Sequence, residues 1–254
     1  MDPKLEQGYF ARKQLFSKNA LIRWSHRRRF EVAVAKSARL VGQRMLDFGC
    51  GDGTYLAMLL DSPHAPREAV SAELDPRVVT TNQQRFADHP KMKFVLQSDL
   101  ERPEYRGSFE CIVCMECFEH MTEPDRYLAL LSSLLRPGGQ LLLSVPVETG
   151  LPVVLKQVVR RIAGWRKIGD YANTLPYSWS ELAKSVFAWG QPHIPRIFHL
   201  SNDGVIFHCH KGFNWMMLRN KIARHFTIDR ISASPIEWLS PHLASQAWFE
   251  AHKD

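Results

Sequence analysis

The sequence predicts an α/β fold, a doubly wound and mainly parallel sheet with helices on both faces. Three observations carry this expectation. From residue 44 onward, short apolar runs alternate with amphipathic segments at the spacing of strand–helix units. The first of these runs ends on glycines at alternate positions. Acidic residues stand at the ends of three consecutive strands, the edge of such a sheet where ligands bind.

Taken in order, residues 1–43 read as an N-terminal helical segment with a basic cluster, Arg23, His26, Arg27, Arg28 and Arg29. RMLDFG (44–49) is a buried strand closed by a glycine turn, and GTYLAMLLDS is the helix after it. REAVSAEL (67–74) is the second strand. PRVVTTNQQRFADH follows as a helix, with Pro76 in the first turn, where a missing N–H does no harm. MKFVLQSD (92–99) and FECIVCMEC (109–117) are the third and fourth strands. Thr122 is expected to cap the helix EPDRYLALLSSLLR, and Pro137, Gly138 and Gly139 to stop it. QLLLSVPVE (140–148) is the fifth strand, so the sheet core runs over 44–149.

The rhythm then breaks over 150–211. LPVVLKQVVRRIAGWRKI has Leu151, Leu155, Val158, Ile162 and Trp165 on one helical face and Lys156, Arg160 and Lys167 largely on the other. A proline- and aromatic-rich stretch follows, containing Tyr171, Tyr177, Trp179, Trp189 and Phe198. This region is read as an insertion over the sheet, either a substrate lid or a long crossover. Regular structure resumes over 212–254, with the helix FNWMMLRNKIARH and the strands FTIDRISAS (226–234) and SQAWFEAHK (245–253).

At 254 residues, with 45% hydrophobic and 23% charged residues, the chain can bury a sizeable core and is neither disordered nor collagen-like. Five cysteines in this length do not make a disulfide scaffold, so a reducing compartment is expected. MDPKLEQGYF lacks an apolar signal region, and no apolar run reaches the ~18 residues of a membrane span, so a soluble, cytoplasmic protein is expected. The net charge of +7 favours acidic partners: nucleic acid, anionic headgroups or phosphorylated molecules.

The chemistry concentrates in LDFGCGDGTYL (46–56). Gly49, Gly51 and Gly53 let the backbone approach a ligand without a Cβ in the way. A dinucleotide fingerprint would need glycine at Thr54, and Asp47 at the strand end suits a ligand with a cationic ammonium better than a pyrophosphate. Glu73, ending the second strand, is placed to accept both ribose hydroxyls, and Asp99, ending the third, to meet the edge of an adenine.

With these motifs in order (LDFGCGDG, AVSAELDP, QSDL, GSFECIVCMECFEHM and LLRPGGQLLLSVP over 44–148), the chain resembles the class I S-adenosylmethionine-dependent methyltransferases, in the group that includes the ubiquinone-biosynthesis O-methyltransferases. The resemblance implies a Rossmann-like seven-stranded sheet of order 3-2-1-4-5-7-6, with SQAWFEAHK as its antiparallel last strand. It implies S-adenosyl-L-methionine as cofactor and S-adenosyl-L-homocysteine as product. It assigns Glu73 to the ribose, with Asp75 as a fallback, and Asp99 and Leu100 to the adenine. Asp47 and the loop Gly49, Cys50, Gly51 and Gly53 hold the methionine part, Leu74 and Met115 join the cofactor set, and Arg29 takes the methionyl carboxylate, with Arg27 and Arg28 as alternatives.

Methyl transfer from a sulfonium chiefly requires alignment and exclusion of water; a base is needed only for a protonated acceptor such as a phenol. His120, in the Glu-His pair that recurs at the active-site edge of the resembling family, is the first candidate base, and His208 or His210 the second. Cys111, Cys114 and Cys117 are read as small buried hydrophobes, because on a strand Cys114 faces away from the other two. No metal is expected. Cys114-Met115-Glu116-Cys117 stands where nucleobase-amine methyltransferases carry an Asn/Asp-Pro-Pro-aromatic sequence, which argues against adenine-N6 chemistry.

The leading expectation is methylation of a small-molecule acceptor, on oxygen, in an aromatic-lined pocket. The alternatives are a lipid-linked acceptor, with residues 151–168 on an anionic membrane surface at the inner face, RNA as a less favoured acceptor, and a non-catalytic cofactor-binding scaffold.

Overall fold

The computed structural model describes residues 7–18, 20–165, 175–200 and 206–254. Lys167 and Tyr171 lie outside the described residues, as does the side chain of Ile162. The sheet strands are β1 (Arg44–Phe48), β2 (Glu68–Glu73), β3 (Met92–Leu96), β4 (Phe109–Met115), β5 (Leu135–Pro146), β8 (Thr227–Ser234) and β9 (Gln246–His252). They form one seven-stranded sheet in the order β3-β2-β1-β4-β5-β9-β8. The first five run parallel, and β9 pairs antiparallel with both β5 and β8. This is the anticipated topology, with a separate two-stranded hairpin, β6 (Phe198–Leu200) and β7 (Ile206–His208), interposed in the chain.

Strand alternation divides the core into two layers. Leu46, Phe48, Ile112 and Cys114 pack on one face with Leu128, Leu131 and Leu134 of α5 (Pro124–Leu134) and with Trp215 and Leu218 of α8 (Trp215–Ile222). Met45, Cys111 and Val113 pack on the other with Leu56 and Leu59 of α3 (Thr54–Leu60) and Phe30 and Ala33 of α2 (Ala20–Lys36). Helix α2 is pinned to the sheet edge by Lys36, whose Nζ donates to Glu250 Oε1 at 2.9 Å and Ser232 Oγ at 2.8 Å. α1 (Tyr9–Gln14) reaches the glycine turn, where the Ala11 N–H donates to Asp52 Oδ2 at 3.0 Å. α4 (Pro76–Arg85) follows β2, capped by Asp75, which accepts from the Arg77 N–H at 2.8 Å.

Two local expectations need correction. Helix α5 is entered through Glu123 and Pro124 without a side-chain cap, so Thr122 is not its cap. It stops at Leu134, before the proline, because Leu135 already pairs with Phe109 as sheet. Pro137, Gly138 and Gly139 then lie inside β5 at a register shift, where Gly138 takes φ +69° and the Gly138 N–H donates to the Lys253 carbonyl. Sheet pairing wins over helix propensity at this junction.

Between β5 and α8 come α6 (Leu151–Trp165), α7 (Trp179–Val186) and the β6–β7 hairpin. Among the described residues, no helix is long and apolar enough to cross a membrane.

Candidate active site

At the carboxyl ends of β1, β2 and β4 opens a cleft of about 1450 Å³. Its floor is the turn after β1. Gly49 has φ +74°, Gly51 +54° and Gly53 +71°, all in the left-handed region where only glycine sits without strain. Gly49 is doubly constrained, because a Cβ there would overlap the sulfur of Cys117. The turn is held by hydrogen bonds from Gly49 N–H and Cys50 N–H to the Ala72 carbonyl, at 2.8 and 3.2 Å. Asn82 of α4 donates its amide to the Gly51 carbonyl at 2.8 Å.

Two of the three anticipated carboxylates meet here. Asp47 is 2% exposed, and its Oδ2 has no hydrogen-bond partner among the described residues. Burial, reinforced by the charge of Glu73, pushes its carboxyl up to about 8. Glu73 accepts from the Gly51 N–H at 2.8 Å and the Leu74 N–H at 2.7 Å, which ties the second strand end to the glycine turn. Asp75, the fallback, is occupied as the α4 cap. Asp99 does not reach the cleft. After β3 the chain enters a 3-10 turn over Gln97–Glu101, and Asp99 turns back to accept from the Leu96 N–H at 3.2 Å and to pair with Arg102. Leu100 is fully buried, and Gln97 is the residue of this turn that lines the cleft.

The opposite wall is built by the loop after β4. Glu116 takes a positive φ of 54°, unusual for a non-glycine residue, and lines the cleft with its Oε2 3.7 Å from Arg29. This break ends the strand alternation, so Cys117 does not face away from Cys114 as the period of two implied. Its thiol meets that of Cys114, and that hydrogen bond together with burial holds it protonated. Cys111 and Cys114 do lie on opposite faces, and all five cysteines are free.

Two residues further on, Glu119 is fully buried, and among the described residues neither carboxylate oxygen has a hydrogen-bond partner from another side chain or backbone group. Burial and then Glu116 push its carboxyl well above the usual range. The His120 Nδ1 lies 2.8 Å from the His208 carbonyl, and a carbonyl can only accept, so the proton is on Nδ1. That leaves the Nε2 lone pair turned toward Glu119 Oε1, 3.8 Å away. The His208 N–H donates back to the His120 carbonyl at 2.9 Å, and Arg196 donates to the carbonyls of Glu119 and Cys209. The β6–β7 hairpin is thus stapled to the β4 loop. It delivers His210 to the cleft, its ring 4.8 Å from that of His120, while His208 packs on Phe198 instead. Burial lowers both cleft histidines, His210 to about 3, so both are neutral near pH 7. Ligand atoms of Glu119, His120 and His210 lie within 4.8 Å of one another, a two-imidazole, one-carboxylate set able to take a cation.

The cleft therefore gathers Arg29, Asp47, Gly49, Cys50, Gly51, Glu73, Leu74, Met115, His120 and His210 from the sequence-derived set. Gly53, Asp99, Leu100 and His208 do not line it. It also takes in Trp24, Gln97, Glu116, Glu119, Glu148 and Arg160, none of which was among the predicted site residues. For Glu119, adjacency to His120 was a usable signal; Trp24 and Arg160 reach the cleft through packing of separate helices.

Comparison with known proteins bears on the family and the fold. Residues 14–186 match the family described as a methyltransferase domain. A ubiquinone biosynthesis O-methyltransferase of Xanthomonas euvesicatoria pv. vesicatoria is 33% identical over 137 residues, 51% of this chain and 55% of that protein. An uncharacterized protein of a Synechococcus strain is 30% identical over 155 residues, 59% of this chain and 36% of that one. The chain thus matches about half, or less, of the length of these curated relatives. In fold, it is similar to a Pyrococcus horikoshii OT3 protein, with a TM-score of 0.59 at 10% identity over the whole of both chains. An S-adenosylmethionine dependent methyltransferase of Mesorhizobium loti gives 0.52 at 12% identity, covering 87% of this chain and 96% of that one. A family match over this much of the chain, on a sheet of the anticipated order, places the protein among the methyltransferase-domain proteins of the class I S-adenosylmethionine-dependent type.

Proposed function

We propose that the chain transfers a methyl group from S-adenosyl-L-methionine to a hydroxyl oxygen of a small-molecule acceptor held between the glycine turn and the His120–His210 pair. The observation that carries this reading is Asp47, a buried carboxylate with an unpartnered oxygen at the floor of the cleft. Such a group is costly unless a cation meets it, and the ammonium of the cofactor's methionine part is one. A volume of about 1450 Å³ exceeds the roughly 300–1,000 Å³ of ordinary ligand pockets, which fits a nucleoside and an acceptor side by side. The Xanthomonas relatives' description as O-methyltransferases supports oxygen as the acceptor atom.

When bound, the cofactor supplies a methyl group already activated by its sulfonium charge. The protein's work is placement and proton handling. Asp47 holds the ammonium, Glu73 presents its carboxylate to the ribose, and the left-handed glycines allow the backbone to lie against the ligand. Arg29 and Gln97 also line the cleft; Arg29 would meet the methionyl carboxylate, and Gln97 would stand nearer the adenine than Asp99. On the acceptor side, His120 offers Nε2 as the base for a hydroxyl proton, since its tautomer is set by the His208 carbonyl. His210 stands beside it, and His208 acts as a positioning residue through its backbone. Phe207 and Ile206 of β7 line the cleft and would help to keep water from the reacting atoms.

Calorimetric titration with S-adenosyl-L-methionine, followed by transfer of a labelled methyl group to a panel of phenols and alcohols, tests the proposal. Binding lost in Asp47→Ala and turnover lost in His120→Ala are the expected results. Absence of binding by the native chain, or full turnover in His120→Ala, would refute the assignment.

A further inference from the structure

Helix α6 brings two cations to one buried carboxylate. Glu148, just past β5, is wholly buried and lines the cleft. The Lys156 Nζ donates to Glu148 Oε1 at 3.0 Å, to the Val147 carbonyl at 3.0 Å and to the Ser245 carbonyl at 3.1 Å. These bonds use all the donors of an ammonium, neutralise Glu148 and tie α6 to the sheet. Arg160 then lays a fork on the same group, Nη2 to Oε1 at 3.0 Å and Nη1 to Oε2 at 3.3 Å. Anchoring α6 needs no second cation, and its presence leaves the cluster with a surplus of positive charge. α6 itself contains no acidic residue. Glu116 is engaged with Arg29, and burial keeps the Glu119 carboxyl protonated, so neither balances the surplus. Charge left over in a largely desolvated corner is costly until an anion meets it.

The surplus stands at the acceptor end of the cleft. His210 is within electrostatic reach of Glu148, Arg160 and Lys156, and its ring lies 4.8 Å from that of His120, the proposed base. Lys156 and Arg160, four residues apart, share one face of α6. Leu155 and Val159, one residue before each, form an apolar row beside them. All four line the cleft, and Phe207 and Leu243 extend its apolar lining. An acceptor lying there meets a cationic row and an apolar row side by side. A neutral acceptor uses only the second. One with an anionic group uses both, and a carboxylate or phosphate suits the planar guanidinium.

We infer that Arg160 is a specificity-determining residue, selecting an acceptor that carries an anionic group, a carboxylate or a phosphate, on an apolar body. The inference rests on the acceptor end proposed above, but its test is read by binding rather than by turnover. Fluorescence titration of the full chain, with and without S-adenosyl-L-homocysteine, compares 6-hydroxy-2-naphthoate, 6-hydroxy-2-naphthyl phosphate and the neutral methyl 6-hydroxy-2-naphthoate. At least one of the two anions should bind about ten-fold or more tightly than the ester, and the one that does identifies the anionic group. In Arg160→Gln the preference should fall to within about two-fold, while Arg160→Lys, which keeps the charge without the fork, should retain part of it. Lys156 stays on Glu148 in both variants, and circular dichroism and melting check their fold. Equal binding of anions and ester by the parent, no binding of any of the three, or a preference untouched by Arg160→Gln would overturn the inference. A chain that selects the anions but transfers no methyl group fails the methyl-transfer reading alone.

Discussion

Replacing Gly49 with alanine tests the geometry on which the cofactor floor depends. The residue holds φ +74°, and an alanine in the left-handed region costs about 1–2 kcal/mol. The added Cβ also overlaps the Cys117 sulfur, an overpacking term of about 1–3 kcal/mol. Gly49→Ala should therefore destabilise the chain by about 2–5 kcal/mol and weaken cofactor binding, because either remedy displaces the turn. The two terms separate experimentally. With Cys117→Ala in the same chain, the nearest remaining side-chain atom is a Cβ 3.4 Å away, an ordinary contact, so only the backbone term survives. A double-mutant cycle by urea unfolding should give a coupling of about 1–3 kcal/mol, and calorimetry should show partial recovery of S-adenosyl-L-methionine binding. A Gly49→Ala chain within about 0.5 kcal/mol of the parent, or a cycle with no coupling, would refute the account.

Three further outcomes are expected. The Asp47 carboxyl is raised to about 8, so the ionised form that meets a cation is scarce at lower pH; cofactor affinity should climb by up to about 50-fold between about pH 6 and pH 8 and be flat in Asp47→Asn, measured by calorimetry across that range. His120→Ala should lower kcat by about 10²–10⁴-fold, while the side-chain truncation His208→Ala, which leaves the carbonyl to His120 in place, should cost less than about ten-fold; equal losses would remove His120 from the proton step. Burial raises the Glu148 carboxyl, but Lys156 and Arg160 outweigh that and hold it at about 2, below its ordinary value of 4.5. Its stabilising contribution, about 3 kcal/mol, is therefore complete above pH 4.5 and lost as pH falls toward 2; Glu148→Gln should abolish that acid limb in pH-dependent denaturation and lower stability near neutrality by about 3–5 kcal/mol.

Motifs that act within one strand–turn–helix unit were legible before any coordinates. Asp47, the glycines after it and Glu73 come together because the turn geometry is local and consecutive parallel strands end side by side. The same logic failed one strand later. Asp99 stands where a strand-end acid was wanted, yet a short 3-10 turn rotates it back onto Leu96 and Arg102, and Gln97 takes the cleft-facing position. Cys117 shows the other failure: the period of two ends where Glu116 crosses to positive φ, which no spacing rule announces.

The order of apolar runs, glycines and strand-end acids by itself predicted a mainly parallel sheet and the glycine turn at the floor of the cleft, because pleat alternation and backbone freedom are properties of neighbouring residues; the strand order and the antiparallel last strand came from the family resemblance. Tertiary structure decided the rest. Which way α6 faces follows from a buried carboxylate on another element, Glu148, that its cations must reach. The tautomer of His120 follows from the carbonyl of a residue 88 positions away. Both depend on contacts between distant segments, where periodicity says which residues share a face but not what that face will meet.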